Sequence, residues 1–235
     1  MRLYRCMTVA GLLVVGWPHV AAGQETQEPR FAADIERFEA ADRESPPAPG
    51  GIVFVGSSSI RLWSTLAEDF PGLPVINRGF GGSRISDVLR YADRIIIPYR
   101  PSRVIVYAGE NDLAGGGTHE QVVADYRALV DQLRAALPDV GIAWITMKPS
   151  PSRWHLADAM REGNRMIEAF SAEDPLLNYI DVFTPMLGEN GRPIPELFVS
   201  DSLHMTPAGY AVWRSVVGPF IAHPITLPDG ADLLH

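Results

Sequence analysis

Asp201 and His204 stand three residues apart in "SDSLH", just before a segment that opens with Thr206 and Pro207. In a turn leading into a helix, that spacing lets a carboxylate fold back onto the imidazole, fix its tautomer and stabilise an imidazolium. A base oriented this way serves a hydroxyl nucleophile, and "VFVGSSSIRLW" at 53–63 offers three in a row, Ser57, Ser58 and Ser59. A serine placed where a strand turns into a helix gains exposure and the positive end of the helix dipole. Acyl transfer further needs N–H donors aimed at the oxygen that acquires charge. The glycines of "NRGFGGS", the last of them Gly82, permit a backbone whose N–H faces an anion, and Asn111 in "GEND" offers a side-chain amide.

None of these groups is decisive by itself. D-x-x-H arises by chance, serines in a turn cap helices, and a turn asparagine is most often structural. Two well-known patterns are absent. Ile60 occupies the fifth position of the G-x-S-x-G elbow, and Gly79, Gly81 and Gly82 do not make the G-x-G-x-x-G of a dinucleotide site.

The elements that must position these residues follow from periodicity. Five short runs, "IVFV" from 52, "PVIN" from 74, "RVIVYA" from 103, "GIAWITM" from 141 and "LNYIDVF" from 177, are apolar on both faces, as buried parallel strands are. Helical stretches separate them. "FAADIERFEAADR" at 31–43 repeats apolar residues at helical spacing, and "SIRLWSTLAEDF" predicts a helix from 59 that one of the serines caps. Thr118 three residues before Gln121 has the spacing of a capping box, and Thr206 followed by Pro207 marks the last helix start. Strand alternating with helix predicts an α/β fold, a five-stranded parallel sheet wrapped on both faces into three α/β/α layers. Ligands gather outside the carboxyl ends of such strands. The serines follow the first strand, the glycines the second and Asn111 the third, while Asp201 and His204 precede the last helix.

In this order "GSSSI", "NRGFGG", "GEND" and "DSLH" resemble the four blocks of the SGNH hydrolases, the GDSL-type esterases and lipases, over residues 50 to 222. The resemblance implies a flavodoxin-like sheet and a serine esterase needing no metal or organic cofactor. It places the nucleophile at Ser58, with Ser59 the alternative one residue on. Asp201 and His204 take the acid and base positions, and the oxyanion hole falls to the N–H groups of Ser58 and Gly82 and the amide of Asn111. Ser57 stands where the family usually has aspartate. The segments between blocks leave no room for a large lid, which implies an open site for a small or short-acyl ester. "TPMLGENGRPIPELFVS", before DSLH, is the candidate specificity segment, and Trp63, Arg84, Glu110, Trp154 and Met205 flank the blocks. Ordinary packing accounts for the two tryptophans, and a surface pair with Asp87 for Arg84. Glu110, beside the asparagine, is expected to repel acidic substrates. Two other classes compete: a non-catalytic carbohydrate- or ligand-binding protein on this scaffold, and a nucleotide-binding doubly wound protein.

Composition narrows the partners. Arg2 and Arg5, the apolar "MTVAGLLVVGW", and Ala21, Ala22 and Gly23 read as a secretory signal over 1–23, which predicts export to a periplasm or the extracellular space. A tether and helix would follow over 24–48, the hydrolase domain over 49–222 and a tail over 223–235. No other stretch is apolar enough to span a membrane. Cleavage after Gly23 removes two arginines and no acid, taking the net charge from −8 to −8 − 2 = −10. An acidic surface argues against nucleic acid and leaves a small-molecule ester as the expected partner. The only cysteine, Cys6, lies in the signal, so the exported chain would have no disulfide and no thiolate metal site.

Overall fold

The computed structural model describes residues 30–222; the signal read at 1–23 and the tail at 223–235 lie outside them. Chain order is α1 (Ala32–Glu44), β1 (Ile52–Gly56), α2 (Ser58–Arg61), α3 (Leu66–Asp69), β2 (Val75–Gly79), α4 (Ile85–Ile95), β3 (Arg103–Tyr107), α5 (Glu110–Ala114), α6 (His119–Ala136), β4 (Gly141–Ile145), α7 (Ala157–Ser171), β5 (Leu177–Ile180) and α8 (Pro207–Ala222). All five strands are parallel and lie in the order β2-β1-β3-β4-β5, the doubly wound arrangement that the alternation of strand and helix predicts. The sheet departs in opposite directions from β1 and β3, so a crevice opens at their carboxyl ends.

Alternation along each strand splits the interior into two cores. Val53, Val55, Val104, Val106, Ile142 and Trp144 face one side, where they meet residues of α1, α4, α6 and α7. Ile52, Phe54, Ile105, Tyr107, Ala143 and Ile145 face the other, packed on Ile60, Trp63, Leu66 and Phe70 and on Tyr210, Trp213 and Val217 of α8. Burial on both faces is the reason these runs carry almost no polar residue. Helix α1 joins the first core through fully buried Ile35, and Glu39 clasps the Arg94 guanidinium of α4 at 2.6 and 2.8 Å.

Two of the expected helix starts are seen. The Thr118 hydroxyl accepts the N–H of Gln121 at 3.3 Å, although the Gln121 side chain turns to Asp125 and leaves the capping box half made. Thr206 accepts the N–H of Gly209 at 3.3 Å. The helix expected from 59 to 70 is instead two short helices, α2 and α3. The chain between them follows Trp63 into the core, where its indole stacks edge-on against Phe54 and Trp213. Asp69 closes that turn by accepting the Trp63 indole N–H at 2.7 Å and the Thr65 hydroxyl at 2.8 Å. Among the described residues no helix is long and apolar enough to cross a membrane.

Candidate active site

Ser58 is the first residue of α2, immediately past the end of β1. Gly56 brings it there: its φ is 134°, and a Cβ at that position would lie 1.8 Å from the carbonyl oxygen of Tyr107. Only glycine lets the ends of β1 and β3 approach so closely. The Ser58 Oγ lies 2.8 Å from His204 Nε2, and His204 Nδ1 lies 2.6 Å from Asp201 Oδ2. The second carboxylate oxygen of Asp201 accepts the backbone N–H groups of Leu203 and His204, each at 2.9 Å. Ser202, between the two, takes a left-handed φ of 57°, which is how a three-residue spacing folds back on itself. Partial burial raises the Asp201 carboxyl, but the hydrogen bonds from the His204 ring and from the two N–H groups outweigh it and bring it down to about 2. It therefore remains ionised wherever the protein is folded at ordinary pH. The His204 side chain is 27% exposed, so a substrate can reach it.

The neighbouring serines are committed elsewhere. Ser57 is buried with its N–H on the Tyr107 carbonyl at 3.0 Å, and its side chain makes no helix cap, contrary to the capping role expected of one serine. Ser59 is also buried, and its carbonyl accepts the Tyr210 hydroxyl at 2.9 Å. Of the three serines, the structure brings only Ser58 to an imidazole.

The remaining predicted residues lie past the ends of β2 and β3. Gly82 holds a φ of 80°, available without strain to glycine. Asn111 stands in α5, its Nδ2 donating to the Ser83 carbonyl at 2.9 Å and its Oδ1 accepting from Arg153 Nη2 at 2.9 Å. One N–H of that amide is left over. "TPMLGENGRPIPELFVS" does pass the histidine: the Val199 N–H donates to the His204 carbonyl at 2.8 Å, and Phe198 pairs with Met205. A cavity of about 400 Å³ opens beside Met205, bounded by Leu62, Thr65, Asp69, Tyr210 and Arg214. Trp63 is core, as packing predicts, and Trp154 is half-buried between the guanidinium groups of Arg161 and Arg192. Asp87 accepts the backbone N–H of Arg84 at 2.9 Å, capping α4. Among the described residues no group of three or more His, Cys, Asp or Glu is placed to hold a metal ion.

Glu110 corrects an expectation. It does not face a substrate but is buried, 2.9 and 3.1 Å from Lys148 Nζ and hydrogen-bonded to the Tyr107 hydroxyl. Burial pushes the Lys148 ammonium down and the Tyr107 phenol up. This cluster and Arg153 were not found from sequence. The one available signal is that Lys148 is the single lysine of a chain with 20 basic residues, and it stands at the end of an apolar strand.

Asp112 is a second buried carboxylate, tying α5 to the start of α4 by accepting the Ile85 N–H at 3.2 Å. Burial raises its carboxyl to about 6 against an ordinary 3.8. A raised carboxyl favours the fold fully below the ordinary value, and that contribution is lost as pH rises through about 6. Asp112→Asn keeps the acceptor and cannot ionise. It should be more stable than the parent at pH 8 by about 2 to 3 kcal/mol, with the difference shrinking toward zero or reversing near pH 4. Urea unfolding at the two pH values checks this.

The family model described as GDSL-like Lipase/Acylhydrolase matches residues 49–212. No curated protein matches the chain in sequence. Among solved structures, a GDSL-like lipase from Bacteroides thetaiotaomicron is 22% identical with a TM-score of 0.69, over 81% of this chain and 98% of that one. An acetylxylan esterase from Geobacillus stearothermophilus is 15% identical with a TM-score of 0.60, over 74% and 95%. A carbohydrate esterase family 3 protein from Talaromyces cellulolyticus is 15% identical with a TM-score of 0.59, over 74% and 96%. At these identities the structures share a fold, and the family assignment rests on the match across 49–212. A parallel sheet of order 2-1-3-4-5, sequence blocks at successive strand ends and that match agree: this chain belongs to the GDSL-like lipase/acylhydrolase family, the SGNH hydrolases.

Proposed function

We propose that the protein is an exported serine esterase that hydrolyses small or short-acyl carboxylic esters through an acyl-enzyme on Ser58. The observation that carries this reading is the unbroken hydrogen-bonded chain from Asp201 through His204 to Ser58. An ionised Asp201 on Nδ1 keeps the proton on that nitrogen, which leaves Nε2 as acceptor for the Ser58 hydroxyl. His204 takes the hydroxyl proton as Oγ adds to the ester carbonyl, and returns it to the departing alcohol. Water then enters and gives a proton to the same nitrogen as its oxygen adds to the acyl carbon; that proton passes to Ser58 Oγ as the Oγ–acyl bond breaks, and the acid leaves. As the first residue of α2, Ser58 has a backbone N–H with no acceptor inside the helix. That N–H, the one of Gly82 and the free amide hydrogen of Asn111 stabilise the oxyanion.

The cavity beside Met205, the residue after His204, carries the paired Asp69 and Arg214, polar groups that would suit a sugar better than a long acyl chain. Structural neighbours named as acetylxylan and carbohydrate esterases support acetylated carbohydrate as the first substrate class to try. Export rests on the signal-like residues 1–23. A fluorophosphonate probe followed by mass mapping tests the mechanism. An adduct on Ser58, together with turnover of p-nitrophenyl acetate, is expected; a protein that neither reacts nor turns over is a binding protein on this scaffold. Release of acetate from an acetylated-sugar panel decides the substrate class.

A further inference from the structure

None of the steps above uses Arg153. It sits in the 3₁₀ turn Pro151–Leu156 that follows β4, half-buried, and its Nη2 donates to Asn111 Oδ1 at 2.9 Å. At the other end of the same amide, Nδ2 donates to the Ser83 carbonyl at 2.9 Å. The two partners allow one orientation. Turned over, the amide would set its N–H groups against a guanidinium and its oxygen against a carbonyl. Asparagine χ2 is otherwise a broad torsion, so the amide of an unclamped Asn111 can turn its carbonyl lone pairs toward the oxyanion they would repel.

Charge acts in the same direction. Among the described residues no carboxylate lies within ion-pair distance of Arg153, although the chain is acidic overall. An unneutralised guanidinium on Oδ1 polarises the amide and strengthens its remaining N–H as a donor. The residue before it ties the same turn to the base: the Ser152 N–H donates to the carbonyl of Ser202, between Asp201 and His204, at 3.1 Å. One short turn therefore holds both the acid–base loop and the oxyanion amide.

We propose that Arg153 is a positioning residue of the oxyanion hole, fixing the Asn111 amide with an N–H toward the attacked carbonyl and lending it positive charge. The inference rests on the esterase reading above. Its test is a double-mutant cycle on p-nitrophenyl acetate hydrolysis with wild type, Arg153→Met, Asn111→Ala and the double variant, each first shown by circular dichroism to melt cooperatively. Arg153→Met should lower kcat by about 10- to 100-fold with KM within about twofold, as expected for a misplaced transition-state contact. Asn111→Ala should cost about 100-fold or more. In the Asn111→Ala background the arginine has nothing left to position, so its loss should cost no more than about threefold. Equal losses in both backgrounds, a change confined to KM, or no change overturns the proposal. Arg153→Lys, which keeps the charge and most of the packing, replaces the methionine variant if that one fails to fold. Wild type that neither turns over ester nor labels on Ser58 sinks the esterase reading itself, whereas an active wild type with an additive cycle sinks only the role of Arg153.

Discussion

Ser58→Ala is expected to lower kcat for p-nitrophenyl acetate by about 10⁴-fold or more while leaving the melting temperature within a few degrees of wild type. His204→Ala should fall to the same floor, and the double variant should fall no further. Oxygen and imidazole act on one proton, so removing either leaves the other nothing to do. Whatever rate remains above that of water should come from binding and from the proposed oxyanion donors. The fold should survive because the Ser58–His204 bond is partly exposed, where a single hydrogen bond contributes about 1 kcal/mol. Ser59→Ala supplies the contrast. Its side chain is packed inside the protein, only 2% exposed, so that variant should keep most of its activity and lose stability instead. The two serines differ by one position in sequence, and exchanged outcomes would move the nucleophile to Ser59.

The residues that were legible in the sequence are those whose signal is local. Five runs apolar on both faces announce buried strands because burial on both sides forbids polar alternation, and Thr118 and Thr206 announce helix starts because a cap is completed within three residues. The first three blocks were legible because each follows a strand end and parallel topology collects strand ends at one edge of the sheet, while DSLH was legible as a turn leading into the last helix. Where the outcome depends on what a side chain meets across the sheet, sequence spacing is silent. The break between α2 and α3 follows from Trp63 burying against Phe54 and Trp213, contacts that helical periodicity cannot see. Glu110 read as a carboxylate that repels acidic substrates because nothing near it in the chain reveals a lysine 38 residues later. Arg153 meets Asn111 over a separation of 42 residues, and an arginine in "PSRW" has no local feature that marks it.

Lys148→Met should destabilise the protein by about 3 to 5 kcal/mol, the largest stability loss expected from a single polar replacement here. Methionine fills nearly the same volume, so the loss measures charge rather than a cavity. Without the ammonium, the Glu110 carboxylate is left inside the second core with only the Tyr107 hydroxyl, and the side chains of that pair are 1% and 4% exposed in the native fold. Taking an unpaired charge out of water costs far more than a paired one returns. A double replacement, Lys148→Met with Glu110→Gln, removes both charges while leaving an acceptor for the Tyr107 hydroxyl, and should recover most of the stability. Urea unfolding of the two variants beside wild type reads all of this. If the double variant is as unstable as the single one, the cluster contributes through shape and not through compensated charge. The functional consequence follows from position. Glu110 is the residue before Asn111, Tyr107 joins the pair through its hydroxyl and accepts the Ser57 N–H on its carbonyl, and Ser57 precedes Ser58, so the ion pair is the floor on which the proposed nucleophile and oxyanion amide both stand. A variant that folds at low temperature without that floor should lose kcat before it loses its native sheet.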